Sequence, residues 1–296
     1  MFQKMVAVEP VNLMQEARED LKKYAHEIVF YDSLPADGTE MAQRIGNADA
    51  ALISYTSQMG KDVLERCPNL RYVGMCCSLY EEKSANVDIA AARELGIVVK
   101  GVRDYGDQGV GEYAVSELVR YLHGFGEKQW KPQPVELEGL KVGVIGLGAS
   151  GIVVAEALHR FGAEVCYFSR TRKEAEKFRY LPLNELLEYV DAAFTCLTKN
   201  TVLLYEEQFQ KFGNHKILFN TCIGPSFDPA ALENWLAAGN NEFFCDMPSG
   251  LGPEAERLMK HPHVNCAGKA SGTTEQAMQR LGRKVLENID AYFQAS

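Results

Sequence analysis

Gly146-Leu147-Gly148-Ala149-Ser150-Gly151 carries the spacing G-x-G-x-x-G. A glycine turn of this spacing can bring backbone N–H groups against a diphosphate. Gly146 would make the tight turn, Gly148 would let the pyrophosphate approach, and Gly151 would let helix and strand pack closely. Further along lie Ser169, Arg170, Thr171, Arg172 and Lys173, and no carboxylate follows until Glu174. An NAD site places Asp or Glu about 20 residues into such a unit, on the ribose 2′-hydroxyl. Two guanidiniums, two hydroxyls and an ammonium suit a 2′-phosphate instead, because Arg offers forked donors to phosphate oxygens. Cations are also unfavourable near a helix N-terminus, so the cluster calls for an anionic partner. The residues therefore favour NADP(H), with NAD(H) as the second choice.

The flanking segments must hold these groups in place. Lys141 to Ile145 is a short β-branched and apolar run, read as a buried strand. Ile152, Val153, Ala155, Ala157, Leu158 and Phe161 form a broad helical face, closed by Gly162. Glu164 to Phe168 reads as the next strand. Strand, glycine loop, helix and strand in this order predict dinucleotide binding.

The chain has 296 residues, 46% hydrophobic and 24% charged, enough for about two globular domains. A net charge of −9 argues against nucleic acid or an anionic membrane as partner. MFQKMVAVEP has no long apolar core, so no signal peptide is expected, and no run approaches the ~20 residues of a membrane span. Eight cysteines are scattered without Cys-x-x-Cys. This reads as reduced thiols in a cytoplasmic protein, with neither a disulfide framework nor a metal site.

Taken in order, strands are expected at 5–8, 27–31, 50–54, 71–75 and 97–100. Helices are expected at 11–25, 39–45, 61–66 and 87–95. This alternation predicts a parallel α/β domain. A long helix follows at 109–123, then a polar linker at 124–138. Beyond the dinucleotide unit, helices are expected near 184–189, 206–211 and 229–238, with strands at 192–197, 216–220, 242–245 and 264–266. Asp228-Pro229 is a helix start, with Asp as N-cap and Pro in the first turn. The helix 274–293 should pack back on the first domain. The predicted class is α/β with two domains, a Rossmann dinucleotide-binding domain over 102–273 and a flavodoxin-like parallel-sheet substrate domain over 1–101 plus 274–296.

Several further segments resemble the D-isomer-specific 2-hydroxyacid dehydrogenases over nearly the whole chain. They are Val87-Asp88-Ile89-Ala90-Ala91-Ala92 before Gly96-Ile97, Val110-Gly111-Glu112, and Leu137-Glu138-Gly139-Leu140-Lys141 before the glycine loop. Asn220-Thr221 before Asp228 and Ala231-Leu232, Asp246, and Gly272 with Thr274 complete the set. The resemblance implies an oxidoreductase acting on a small molecule, and a homodimer, although the linker after Leu122 is shorter than the family's dimerisation arm. It also implies cofactor contacts from Cys196, Leu197, Thr201, Thr221, Cys222, Ile223 and Asp246, the last at the nicotinamide carboxamide. Cys77, Ser78, Leu79 and Tyr80 fall on the family's substrate loop, here lengthened and more charged over 76–86.

The family's catalytic identities are replaced. Its substrate-clamping Arg aligns with Ile223, and its acid/base His with Lys269. The Glu that orients the His would fall near Gly250 or Leu251, with Glu254 and Glu256 close by but out of place. Lys269, as a partly desolvated ammonium, could move a proton or anchor an anionic substrate; the alternative is an exposed lysine at a strand end. Three functions are open on these residues: an NADP(H)-dependent oxidoreductase with a substituted catalytic set, a catalytically silent NADP(H)-binding sensor or interaction protein, or an active D-2-hydroxyacid reductase with catalytic residues supplied from elsewhere, which the missing Arg disfavours.

Overall fold

The computed structural model describes residues 1–173, 177–199 and 201–295, so Glu174 lies outside the described residues. In chain order the elements are β1 (Phe2–Ala7), α1 (Gln15–Leu21), β2 (Ala25–Phe30), α2 (Gly38–Ile45), β3 (Ala50–Ile53), α3 (Lys61–Glu65), β4 (Tyr72–Ser78), α4 (Ile89–Glu94) and β5 (Val98–Val102). Next come α5 (Asp107–His123), β6 (Lys141–Ile145), α6 (Ala149–Arg160), β7 (Glu164–Phe168), β8 (Arg179–Tyr180), α7 (Leu183–Tyr189), β9 (Ala192–Thr195), α8 (Glu206–Phe212) and β10 (Ile217–Asn220). The last are α9 (Pro229–Ala237), β11 (Glu242–Cys245), α10 (Ala255–Leu258), β12 (Val264–Cys266) and α11 (Glu275–Ala295). Two compact units result, Met1–Tyr105 with Thr274–Ser296, and Gly106–Thr273.

The first unit is a parallel sheet in the order β2-β1-β3-β4-β5, the flavodoxin-like arrangement. Its strands are apolar on both sides because both faces are covered. Val6, Ile53, Val73 and Met75 pack on one side, and Met5, Leu52, Tyr72 and Cys76 on the other. The second side is closed by Leu281, Val285 and Ile289 of α11 and by Ala17 and Leu21 of α1. Helix α1 is shorter than the expected 11–25. Asn12 takes a left-handed φ of 54°, which blocks an earlier start, and Ala25 already pairs with Phe2 in the sheet.

The second unit is a parallel sheet in the order β12-β11-β10-β9-β6-β7-β8. Counted from β6, this is the Rossmann order with one strand added at the edge. Val142, Val144, Phe194 and Phe219 fill one face, and Ile145, Ala193, Leu218 and Phe243 the other. The order reverses between β6 and β9, where open α/β sheets place their ligands, at the carboxyl ends of the strands. Among the described residues no helix is long and apolar enough to cross a membrane.

Candidate functional site

The glycine loop leaves β6 at this reversal point. Gly146 has φ of 101°, and a Cβ there would lie 2.5 Å from the carbonyl oxygen of Cys196, so only glycine fits. At Gly151 a Cβ would lie 1.9 Å from the carbonyl oxygen of Gly146, which lets α6 pass tightly against the turn. Gly148 differs: a Cβ there would meet nothing within 4 Å among the described residues. It is exposed and is the N-cap of α6, and among the described residues no side chain caps that helix. The loop is therefore a cradle with open space before a 12-residue helix whose first-turn N–H groups carry partial positive charge. These residues fit a diphosphate. Leu147 is buried, while Ala149 and Ser150 are half-buried.

Ser150 donates its hydroxyl to Asp107 in the first turn of α5. Asp107 was not among the residues singled out in the sequence. A helix start placed at Gly109 hides it, although an acid in a first turn is a recognisable cap signal.

At the tip of β7 the Ser169 hydroxyl donates to the carbonyl of Thr171 at 2.6 Å, folding the chain back. Arg170, Thr171 and Arg172 are exposed. Arg172 lies over the Tyr180 ring at 5.7 Å. Gly146 donates its N–H to Phe168 at 2.8 Å, so the cradle and this basic tip are tied together by main chain.

The ends of β9 and β10 form a buried polar knot. The Thr195 hydroxyl donates to Asn220 Oδ1 at 2.7 Å, and Ser226 donates to the same oxygen at 3.1 Å. Asn220 Nδ2 donates to Gly250 at 2.7 Å and to Gly224 at 3.0 Å. This fixes the loop 221–224. Thr221 donates to the carbonyl of Thr195 at 2.8 Å, and the Cys222 thiol accepts from Leu197 N–H at 3.0 Å. The Thr221 hydroxyl lies 3.4 Å from the Cys196 sulfur, and the Thr201 hydroxyl 3.0 Å from that of Thr198. Burial pushes the Cys196 thiol up to about 12 and the Cys222 thiol up to about 11, which disfavours the thiolate at both positions. Ile223 is 44% exposed. Gly250 and Leu251 are buried, and Glu254 pairs with Arg257, Nε to Oε2 at 2.8 Å, so this carboxylate is already engaged.

Asp246 follows β11 and closes the opposite edge. Its Oδ2 accepts from Ser271 N–H at 2.8 Å and from the Ser271 hydroxyl at 2.7 Å. Lys269 donates its backbone N–H to the Asp246 carbonyl at 2.9 Å. The Lys269 side chain is exposed, so the desolvation expected from the sequence is not found in this chain. Tyr113 of α5 faces the same edge. Burial first, then nearby Cys245 and Asp246, push its phenol well above the ordinary range. Its ring meets Phe219 edge-on at 6.3 Å.

In the first unit, Cys76 to Ser78 belong to β4 and are not loop, which corrects the expected 76–86 segment. The pairing of β4 with β5 shifts between Met75 and Ser78, and such bulges re-aim side chains near sites. Cys77 is buried with its thiol donating to Asn86 Oδ1 at 3.7 Å. Ser78 and Leu79 are half-buried, and Tyr80 is exposed with its hydroxyl donating to Asp104 Oδ1 at 3.0 Å.

Residues 5–296 match the family model described as D-isomer specific 2-hydroxyacid dehydrogenase, catalytic domain. A hydroxypyruvate reductase of Blautia hydrogenotrophica is 28% identical over 303 residues, covering 91% of this chain and 90% of that protein. A glyoxylate reductase of Korarchaeum cryptofilum is 27% identical over 287 residues, covering 88% and 84%. Among solved structures, an acyclic imino acid reductase in complex with NADPH and D-Arg superposes with a TM-score of 0.86 at 19% identity, over 99% of this chain and 98% of that one.

Proposed function

Because this chain belongs to the D-isomer specific 2-hydroxyacid dehydrogenase family, we propose that it is an NADP(H)-dependent oxidoreductase whose catalytic set has been replaced. The family supports an oxidoreductase with a nicotinamide dinucleotide and a small-molecule substrate. The choice of NADP(H) is carried by one observation: the tip of β7 presents Arg170 and Arg172, both exposed, with no Asp or Glu from Ser169 to Lys173.

When bound, the dinucleotide supplies or accepts a hydride. The chain's own part is then binding and proton handling. Gly146, Gly148 and Gly151 shape the cradle, and the first turn of α6 faces the diphosphate. Asp246, held by Ser271, would meet the nicotinamide carboxamide. Reduction of a carbonyl leaves an alkoxide that needs a proton, and Lys269 occupies the position of the family's acid/base. Ile223 cannot pair with a carboxylate, so small 2-keto acids are poor substrates in this reading. The homodimer implied by the family and the cytoplasmic location read from the scattered cysteines belong to the same proposal.

The exposed Lys269 and the apolar Ile223 favour a second reading, a silent NADP(H)-binding sensor or interaction protein. One experiment tests the main proposal. NADPH and NADH are titrated by fluorescence, and NADPH oxidation is followed with hydroxypyruvate, glyoxylate and a panel of other carbonyl compounds. Tighter NADPH binding with turnover of some compound in the panel is expected. Equal or tighter NADH binding removes the 2′-phosphate assignment. Tight NADPH binding with no turnover across the panel moves the conclusion to the silent binder.

A further inference from the structure

Cys245 and Cys266 are the last residues of β11 and β12, and they are direct register partners in adjacent parallel strands. Register partners point to the same face of a sheet, and both sulfurs pack into the same apolar cluster. Cys245 is fully buried and Cys266 half-buried, so the pair is open to solvent from one side only.

We propose that Cys245 and Cys266 form a redox-modifiable pair that a hydroperoxide converts to a disulfide, altering the cofactor edge of the second unit. The consequence for the cofactor rests on the dinucleotide-binding reading above; the linkage itself does not. Neighbouring strands lie about 4.8 Å apart, inside the roughly 4.4–6.8 Å between Cα atoms that a disulfide spans. The Cβ atoms must close to about 3.5–4.5 Å. Strand β12 can move inward, because it has only three residues and is the edge of the sheet.

The half-buried sulfur reacts first. The Cys266 sulfur, having given up its proton, attacks one peroxide oxygen. The O–O bond breaks, water leaves, and Cys266 becomes a sulfenic acid. The Cys245 sulfur then attacks the sulfenic sulfur. An S–S bond forms, the S–O bond breaks, and the departing hydroxide takes the Cys245 proton as a second water. Two thiols lose two electrons in total and the peroxide gains them. Burial disfavours the Cys245 thiolate, so Cys245 does not start the reaction; it gives up its proton to the departing hydroxide only as it attacks the sulfenic sulfur.

The linkage matters because each cysteine leads directly into the cofactor edge. Asp246 is next to Cys245, and Ala267 to Lys269 come directly after Cys266. Ala267 donates its N–H to the Cys245 carbonyl at 3.0 Å, and Lys269 to the Asp246 carbonyl at 2.9 Å. Drawing the strand ends together changes these bonds and the seat of the Asp246 carboxylate.

The test uses the full chain, reduced, desalted and exposed to a small molar excess of hydrogen peroxide. Remaining thiols are blocked, and the unreduced digest is analysed by mass spectrometry. A dominant Cys245–Cys266 peptide that dithiothreitol abolishes is expected, and Cys266→Ser and Cys245→Ala should each lack it. NADPH affinity should fall about tenfold in the oxidised protein and return on reduction, while peroxide leaves Cys266→Ser unchanged. Sulfinic acid at Cys266 without a link, or a dominant Cys196–Cys222 link, overturns the pairing. A linked protein that binds NADPH as the reduced one does overturns the functional consequence, as does equal loss in peroxide-treated Cys266→Ser. Reduced protein that fails to bind NADPH sinks the dinucleotide reading, and the peptide map still decides the pairing.

Discussion

Lys269 is joined to Asp246 by main chain: its backbone N–H donates to the Asp246 carbonyl at 2.9 Å, while its side chain is exposed. Position and chemistry are therefore separable at this residue. Lys269→Ala should leave stability within about 0.5 kcal/mol, as for other exposed substitutions. NADPH affinity should also be retained. Turnover of a substrate found by screening should fall roughly 10²–10⁴-fold, the usual size of a general acid–base contribution. Lys269→Arg should restore an anchoring role only, since guanidinium does not release its proton near neutral pH. Normal turnover by Lys269→Ala would remove Lys269 from the mechanism.

Arg170→Ala should separate the two cofactors. A charge-assisted contact to a phosphate is worth roughly 1.5–3 kcal/mol, so NADPH should bind at least tenfold more weakly. NADH, which lacks the 2′-phosphate, should be little affected. Parallel fluorescence titrations check this, and equal losses for both cofactors would place Arg170 away from the phosphate.

The glycines of the loop should respond in opposite ways. Gly151→Ala sets a methyl 1.9 Å from a main-chain oxygen, and overpacking against backbone should cost at least about 3 kcal/mol. Gly148→Ala meets nothing within 4 Å, and its φ of −85° suits any residue, so its stability should stay within about 0.5 kcal/mol. It should nevertheless bind NADPH more than about tenfold more weakly, because the methyl fills the cradle. Chemical denaturation and cofactor titration on both variants decide this, and a Gly148→Ala protein with normal affinity contradicts the cradle.

Ile223 tests the missing carboxylate clamp. At 44% exposure, an arginine can replace it without entering the core. Ile223→Arg should raise kcat/KM for glyoxylate by about tenfold or more, since a bidentate guanidinium–carboxylate pair is worth roughly 1.5–3 kcal/mol. Steady-state kinetics with NADPH read this directly. No gain would mean that the loop 221–224 does not face the substrate carboxylate.

His261 gives the second unit a pH dependence. Burial first, and then the neighbouring His263, lower its pKa from the ordinary 6.5, against the opposite pull of Glu233 and Glu242. The unfolded chain therefore binds this proton more readily than the folded one. The native state keeps its full stability above pH 6.5 and loses part of it as the pH falls through the lowered value. Urea denaturation between pH 5 and 8 should show that slope, and His261→Gln should flatten it. An unchanged slope in the variant would assign it elsewhere.

Local chemistry made much of this legible. Asp228 caps α9 as expected, accepting from Ala231 N–H at 2.9 Å, and Pro229 sits in its first turn. The β6–α6–β7 unit stands where its pattern placed it, because strand period, turn glycines and helix face all agree there. What escaped depends on contacts distant in sequence. The two-residue β8 has no pattern of its own and exists because it pairs with β7. The bulge at Cys76 and Cys77 is set by the partner strand β5. The Asp246–Ser271 bond joins residues 25 apart, and no spacing rule predicts it. The Lys269 side chain shows the opposite limit, since alignment marks a position but says nothing of its solvation.

The first unit is assembled from two separated pieces of chain, with all of Gly106–Thr273 between them. This sets an order of events at the ribosome. Strands β1 to β5 emerge early, yet the sheet face carrying Met5, Leu52 and Tyr72 receives Leu281, Val285 and Ile289 only after the whole dinucleotide unit has been translated. During that interval α1 covers only part of this face with Ala17 and Leu21, and the rest stays apolar and open, the kind of surface that holdase chaperones bind. The dinucleotide unit, continuous in sequence, meets no such delay and can close first.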